Sequence, residues 1–306
     1  MDRTDITLSL MLLGNSRIPY SDLAEQLGLS VNAVHKRIQL LKEAGVIRNF
    51  TAKVGIGSFG IIPVLIFGGS ETKVEGQVLA KLQENDHTYW VAVGSGNYLY
   101  VGGYLRNISE LDAYVTSIGK DTNMDSPIVG INALSGRDVS HSNAKLQNLD
   151  YRIIHALQRD SRKAIPEIAE ELSLSAKTIR RRLARMIGEN LIELSLEWFP
   201  DKSNDIITVF HIDLKTQAEK GKAISSLSKD YSPNALFCWS FSNLPDSILL
   251  FIWTNSMKEL QDITKRVQNE PAIQRVLPRI LYTGYIFETW RDKLVQEKNT
   301  QVHTTQ

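Results

Sequence analysis

At 306 residues, 42% of them hydrophobic, the chain is long enough for several domains with cores of their own. A lone cysteine, Cys238, excludes an internal disulfide framework and a zinc site built from several thiolates, and it suits a reducing compartment, so a cytoplasmic protein is expected. Its 35 Lys and Arg against 34 Asp and Glu leave a net charge of +1, which neither marks nor excludes a polyanionic partner; local clusters must decide that.

In chain order, Ile6, Leu8, Leu12 and Leu13 form the apolar face of a first helix, which Gly14-Asn15 ends. A second helix runs from Ser21 to Leu27. After the tight connection Gly28-Leu29, Ser30 is a good N-cap for a third helix, and Gly45 is suited to its left-handed end. Val34, Ile38 and Leu41 share the inner face of that helix. Its outer face carries Asn32, Ala33, Lys36 and Leu40, flanked by His35 and Arg37. Val46-Ile47 then opens an extended segment. Residues 1–52 thus read as a winged helix-turn-helix, whose last helix usually enters a DNA major groove.

The stretch Gly55-Ile56-Gly57-Ser58-Phe59-Gly60 matches the dinucleotide fingerprint formally. A strand pattern, Ile61-Ile62-Pro63-Val64, follows it where the fingerprint needs a helix, so it reads as a flexible hinge. Residues 60–135 then alternate as strand (Ile61 to Phe67), helix (Lys73 to Gln83), strand (Thr88 to Val93), strand (Tyr98 to Leu105), helix (Ser109 to Ile118) and strand (Ile128 to Leu134). This is the ferredoxin-like βαββαβ pattern, with helices on one sheet face and the other face left to be covered within the chain or between chains. A polar linker, Ser135 to Asn143, separates the halves.

The second half repeats the first. Residues 5–47 and 150–192 align without a gap: Asp5, Leu12, Ser16, Arg17, Ala24, Glu25, Leu27, Leu29, Ser30 and Arg37 recur as Asp150, Leu157, Ser161, Arg162, Ala169, Glu170, Leu172, Leu174, Ser175 and Arg182. A second winged helix-turn-helix is therefore expected over 148–197, with Pro166 tolerated in the first turn of its second helix and Asn190 in the role of Gly45. Ile179, Leu183 and Met186 face inward on its third helix. Lys177, Thr178, Arg181 and Arg185 face outward, with Arg180 and Arg182 on the flanks and no acidic residue among them. A second βαββαβ segment follows over 205–290, Val64-Leu65-Ile66-Phe67 matching Val209-Phe210-His211-Ile212, and Trp90 matching Trp239 after an insertion of four residues. A polar tail is read over 296–306. The whole is an α+β chain of two winged helix-turn-helix domains alternating with two ferredoxin-like domains.

At these stretches, most specifically Leu23-Ala24 through Leu29-Ser30, Arg37-Ile38, Gly45-Val46-Ile47 and their counterparts, the chain resembles the Lrp/AsnC (feast/famine) family of transcriptional regulators, as two family subunits fused in tandem. The resemblance implies double-stranded DNA as partner, pairing or homo-oligomer formation through the βαββαβ domains, and a small, amino-acid-like effector. Two unequal halves would suit an asymmetric operator. Family effector pockets involve the turn between the second and third strands; here the matching residues are Gly94, Gly96 and Asn97 in one copy and Asp246 in the other.

A basic helix face taken alone is more often solvated surface, and winged helices also dock proteins; the duplicated turn together with the basic face puts DNA first. The DNA-binding set is Ser30, Asn32, Lys36, Arg37, Ser175, Lys177, Thr178, Arg181, Arg182 and Arg185. Lys177, Arg181 and Arg185 are assigned to phosphates or guanine, Thr178 and Asn32 to base edges, and Ser30 and Ser175 to helix caps. The six histidines show no ligand spacing, so no metal site is expected, and no cofactor or catalytic residue is assigned. Trp90 and Trp239 read as core or interface aromatics. No apolar run approaches the roughly 18 residues that span a membrane, and MDRTDITL has no charged region followed by an apolar one, so an unprocessed chain without membrane contact is expected. Siroheme decarboxylases also resemble Lrp/AsnC proteins, which makes an enzyme the rival reading; the paired histidines and tyrosine/arginine cluster for such chemistry are not evident in the strands. A protein-interaction module is the third.

Overall fold

The computed structural model describes residues 1–133 and 144–303. The linker expected at Ser135 to Asn143 lies outside the described residues. Apart from short 3-10 turns, the first half runs α1 (Arg3–Gly14), α2 (Tyr20–Leu27), α3 (Val31–Glu43), β1 (Ile47–Val54), β2 (Ile62–Gly69), α4 (Gly76–Glu84), β3 (Thr88–Gly94), β4 (Tyr98–Leu105), α5 (Leu111–Thr122) and β5 (Ile128–Ile131). The second repeats the series as α6 (Asn148–Leu157), α7 (Ile165–Glu171), α8 (Ala176–Gly188), β6 (Ile192–Trp198), β7 (Ile206–Leu214), α9 (Lys220–Asp230), β8 (Ala235–Ser240), β9 (Ser247–Thr254), α10 (Met257–Gln268) and β10 (Ile273–Ile286), then adds α11 (Trp290–His303). Two compact units result, one holding both helix-turn-helix copies with α11, the other both βαββαβ copies.

In the helix-turn-helix unit the apolar positions read from the sequence are the buried ones: Val34, Ile38 and Leu41 on α3, and Ile179, Leu183 and Met186 on α8. Gly45 and Asn190, just past those helices, both adopt the left-handed conformation, at φ 73° and 54°. The wing is not a hairpin within each copy. β1 and β6, one strand from each, pair antiparallel, with Phe50 opposite Leu196 and Ala52 opposite Leu194. Ala52 and Val54 are therefore buried in the core of the second copy, beside Ile154, Ile179 and Leu183.

A reciprocal clasp completes this pairing. Ser16 N donates to Leu194 O and Ser161 N to Phe50 O, at 3.1 and 3.0 Å, and the two buried serine hydroxyls meet at 2.5 Å. Arg17 donates to the carbonyls of Ser161 and Lys163, while Arg162 donates to those of Ser16 and Ile18. The Arg162 guanidinium also lies over the Tyr20 ring at 4.1 Å. The Ser-Arg pair that recurs in the sequence is thus the contact between the two copies.

The tail expected from residue 296 is instead mostly helix. α11 buries Val295 fully, with Leu294 packed into the same core. Arg291, 1% exposed, donates to Val54 O and to Glu193 Oε2. The apolar anchors of α11, Trp290, Leu294 and Val295, all precede residue 296, so the polar stretch after it shows no helical face of its own.

In the second unit the strands form an eight-stranded sheet in the order β5-β2-β4-β3-β10-β7-β9-β8. β3 of the first copy pairs with β10 of the second, and the outer strands meet again through the Asn132–Phe241 bridge, flanked by bonds from Ala133 N to Ser240 O and from Ser242 N to Ile131 O. The sheet thereby returns on itself. One face of each half packs on its helices, with Val64, Ile66, Val91 and Val101 in the first and Phe210, Ile212, Leu250 and Ile252 in the second. The other faces cover each other, so the bare sheet surface is satisfied within the chain. Trp90 and Trp239 meet there, ring centroids 5.6 Å apart.

This arrangement corrects the alignment in the strands. Val64 faces helices but Val209 does not, because in a period-two structure a slip of one residue moves every side chain to the opposite face. Ile66 lies opposite Val101 and Phe210 opposite Leu250, so Ile66 corresponds to Phe210 and Phe67 to His211.

Candidate nucleic-acid interface

Ser30 and Ser175 cap α3 and α8 as expected for their sequence positions, accepting from Ala33 N at 3.2 Å and Thr178 N at 3.1 Å. Each cap satisfies a backbone donor that has no partner inside the helix. The Thr178 hydroxyl lies 2.9 Å from Ser175 Oγ, so the geometry gives it a local capping partner rather than a free path to a base edge.

The outward face is turned relative to the sequence reading. On α8, Lys177, Arg180 and Arg181 are exposed, whereas Arg182 and Arg185 are half-buried. Arg185 Nη2 donates to Asp150 Oδ2 at 2.5 Å, and Arg182 lies 3.6 Å from Asp150 Oδ1 while donating to Gln147 Oε1. Asp150 is fully buried at the start of α6, where it also accepts from Gln147 N. A buried carboxylate demands cations, and these two supply them. No acidic residue stands on α8 itself, and the acid that engages Arg182 and Arg185 comes from α6. Asp150 and Arg182, like Asp5 and Arg37, stand among the repeated residues, and that was the available signal.

On the first two turns of α3 Asn32, His35 and Lys36 are exposed, with Val31 and Leu40 at the borders of that face, 44% and 53% exposed, and Gln39, Lys42 and Glu43 exposed besides. Arg37 is half-buried like Arg182 and is not free. His35 sets its ring edge-on to Tyr20 at 4.2 Å, and Gln39 donates to Glu43. The two third helices therefore present the same positions with different chemistry. Asn32, His35 and Lys36 stand on one where Lys177, Arg180 and Arg181 stand on the other.

The residues expected to form an effector site are not brought together. Asn97, at φ 52°, spends its side-chain amide on Ser70 O and Thr72 O, and Ser95 N between Gly94 and Gly96 donates to Ile280 O. That turn belongs to the β3–β10 seam. Asp246 is exposed on the β8–β9 turn, whose Asn243 bonds to Val129 O and Ile131 N at the other seam. The GxGxxG stretch becomes a 3-10 turn, Ile56–Phe59, followed by β2, with no helix to hold a pyrophosphate. Nor is it an open hinge at its start, where Gly55 N donates to Leu191 O.

Between the facing sheets lies a polar cluster that the sequence did not reveal. Tyr100 and His211 share a 2.6 Å bond, Tyr98 packs edge-on to His211, and the Arg279 guanidinium lies over the Tyr98 ring at 3.8 Å. Burial, reinforced by Arg279 and Arg275, lowers the His211 pKa to about 4, so the imidazole is neutral. Burial also raises the Tyr100 hydroxyl. These residues come from β4, β7 and β10, whose adjacency depends on the corrected register. A second histidine is not opposite the first; Phe67 holds that place, its ring 5.7 Å from His211. Burial pushes the Cys238 thiol up to about 12, which leaves it a poor nucleophile. Among the described residues no group of His, Cys, Asp and Glu could hold a metal ion, and no helix is long and apolar enough to cross a membrane.

Comparison with known proteins follows the same division. A winged helix-turn-helix DNA-binding model matches residues 1–48 and an AsnC-type helix-turn-helix model residues 146–187. The regulator AldR of Mycolicibacterium smegmatis is 30% identical over 138 residues, 42% of this chain and 77% of AldR. The regulator LrpA of Pyrococcus horikoshii is 30% identical over 101 residues, 32% of this chain and 71% of LrpA. Among solved structures, the siroheme decarboxylase NirDL superposes with a TM-score of 0.58 over 99% of this chain and 100% of its own, at 12% identity. At that identity the likeness is one of fold.

Proposed function

Because the chain belongs to the Lrp/AsnC family of helix-turn-helix transcriptional regulators, with two family units in one polypeptide, we propose that it is a sequence-specific DNA-binding regulator that acts as a tethered pseudo-dimer. The observation that carries this reading is the pair of third helices, each capped at its N-terminus and joined to its counterpart through the Ser16–Ser161 clasp and the β1–β6 ribbon. In a helix-turn-helix the N-terminal part of the third helix meets base edges and its flanks meet phosphate. The exposure of Lys177, Arg180 and Arg181 on α8, and of Asn32 and Lys36 on α3, supports assigning them those two tasks.

An enzymatic reading rests on the fold likeness to NirDL and on the tyrosine/arginine cluster of Tyr98, Tyr100 and Arg279 around His211, which was not evident in the strands; in place of a second histidine the facing sheets hold Phe67 against His211. We attach no effector to the reading, since the backbone and side chains of the expected turns are spent on neighbouring strands.

The test is a titration of a selected genomic fragment at two salt concentrations. Each phosphate neutralised should add about 0.9 to the salt slope. Arg181→Ala should weaken binding more than Lys36→Ala, because α8 concentrates the charge. Weak binding, indifferent to sequence and salt, would sink the proposal.

A further inference from the structure

The paired third helices are built alike inside and differently outside. Position for position, Val31, Asn32, His35 and Lys36 on α3 stand where Ala176, Lys177, Arg180 and Arg181 stand on α8. The surrounding geometry is constant: Ser30 and Ser175 make equivalent cap bonds, and equivalent apolar residues are buried. Differences at the exposed positions are therefore differences in what each helix offers a partner.

In the major groove, guanine presents two acceptors, matched by arginine; adenine presents an acceptor and a donor, matched by asparagine; thymine presents a methyl group, matched by an apolar side chain. Exposed Arg180 and Arg181 on α8 carry the first of these. α3 carries the others, with exposed Asn32 between the apolar borders Val31 and Leu40. At the place of Leu40, α8 has Arg185, which Asp150 holds. The reciprocal clasp and the two-stranded ribbon supply one of each helix in a single chain. An identical pair of helices reads an inverted repeat because operator symmetry mirrors protein symmetry. Here the backbone symmetry is kept and the chemical symmetry is absent.

We infer that the chain reads a non-palindromic duplex, in which α8 takes a guanine-bearing half-site through Arg180 and Arg181, and α3 takes an adenine- and thymine-bearing half-site through Asn32 with Val31 and Leu40. This inference rests on the DNA-reading proposal above and goes beyond it by naming the base chemistry of each half.

The experiment is selection from a randomised duplex pool with the intact chain, followed by sequencing and titration of the enriched site. The expected site has unlike halves, one guanine-bearing and one rich in A·T pairs, and binds one chain. Arg180→Ala/Arg181→Ala should relax base preference in the first half alone, and Asn32→Ala in the second alone. Each should cost about tenfold in discrimination at the affected bases. These side chains are exposed, and unchanged melting temperatures would confirm that the variants fold. Transplanting the α8 face with Val31→Ala, Asn32→Lys, His35→Arg and Lys36→Arg should turn the preferred site into an inverted repeat of the guanine half. Enrichment of a palindrome by the natural chain, or an unchanged preference in Asn32→Ala, would overturn the inference while leaving the DNA-reading proposal intact. Failure to enrich any duplex at low salt would defeat both.

Discussion

α3 and α8 share a capping serine and a buried triad but differ across the surface they present, while the two facing β-sheets differ in their shared interior. Phe67 and His211 occupy corresponding places there, as do Gly130 and Arg279, and the space beside Gly130 is filled by the Phe241 ring. The first half therefore contributes Phe67 and Gly130 where the second contributes His211 and Arg279, and the two tyrosines that meet the histidine and the arginine, Tyr100 and Tyr98, come from β4 of the first half. Packing constrains the inner face of a recognition helix to a narrow range of shapes and leaves its outer face free to change. In the sheets, the residue on one strand constrains its neighbours, since the Phe241 ring needs a glycine at position 130 and the buried imidazole of His211 needs a partner.

The largest effect should come from breaking the α8 side of the first comparison. Arg185 neutralises a fully buried carboxylate, whereas Leu40 at the corresponding place on α3 is 53% exposed. Removing one partner of a buried pair costs about 3–5 kcal/mol. Arg185 is 29% exposed and Arg182 stays within 3.6 Å of Asp150, so Arg185→Ala should cost toward the low end, about 3 kcal/mol. Leu40→Ala should change stability by less than about 0.5 kcal/mol. Denaturant melts of the two variants decide it, and equal midpoints would show that Asp150 does not depend on Arg185.

The second comparison can be sharpened with pH. His211 has its pKa lowered from 6.5 to about 4 by burial and by Arg279 and Arg275. Above pH 6.5 the imidazole is neutral in both folded and unfolded chains and contributes no slope. As pH falls from 6.5 towards 4 the unfolded chain takes up a proton that the folded chain refuses, so stability declines by up to about 3 kcal/mol across that window. His211→Gln keeps a bonding partner for Tyr100 and has nothing to titrate, so its stability should fall less steeply between those limits. Identical pH profiles for the two proteins would remove His211 from the account.

Much of this architecture was legible in the sequence because it rests on local rules. Cap residues, helical spacing and left-handed ends at Gly45 and Asn190 are each decided within a few residues. What escaped depended on distant partners. The Asp150 tether joins α6 to α8, the polar cluster joins β4, β7 and β10, and the shared wing joins β1 to β6. The strand register shows the difficulty most sharply. A gapless alignment placed Val64 on Val209, and only the pairing partners reveal that the true correspondence is displaced by one residue. Helical segments tolerate such a slip as a rotation; strands convert it into an exchange of faces.

The smallest expected effect lies in the turn between the second and third helices. Gly28 and Ser173 occupy the same place there, and both are left-handed, at φ 64° and 55°. A side chain in that conformation brings Cβ close to the following carbonyl and costs about 1 kcal/mol, part of which glycine forfeits through its greater freedom when unfolded. Ser173 is exposed, and its backbone N–H donates to Glu170 O whatever side chain it carries. Ser173→Gly should therefore raise stability by about 0.5 kcal/mol, and Gly28→Ser should lower it by a similar amount. The reciprocal pair separates backbone strain from any contact of the serine hydroxyl. If strain governs, the two changes have opposite signs and similar size; if both destabilise, the hydroxyl of Ser173 holds something that the copy with Gly28 does without.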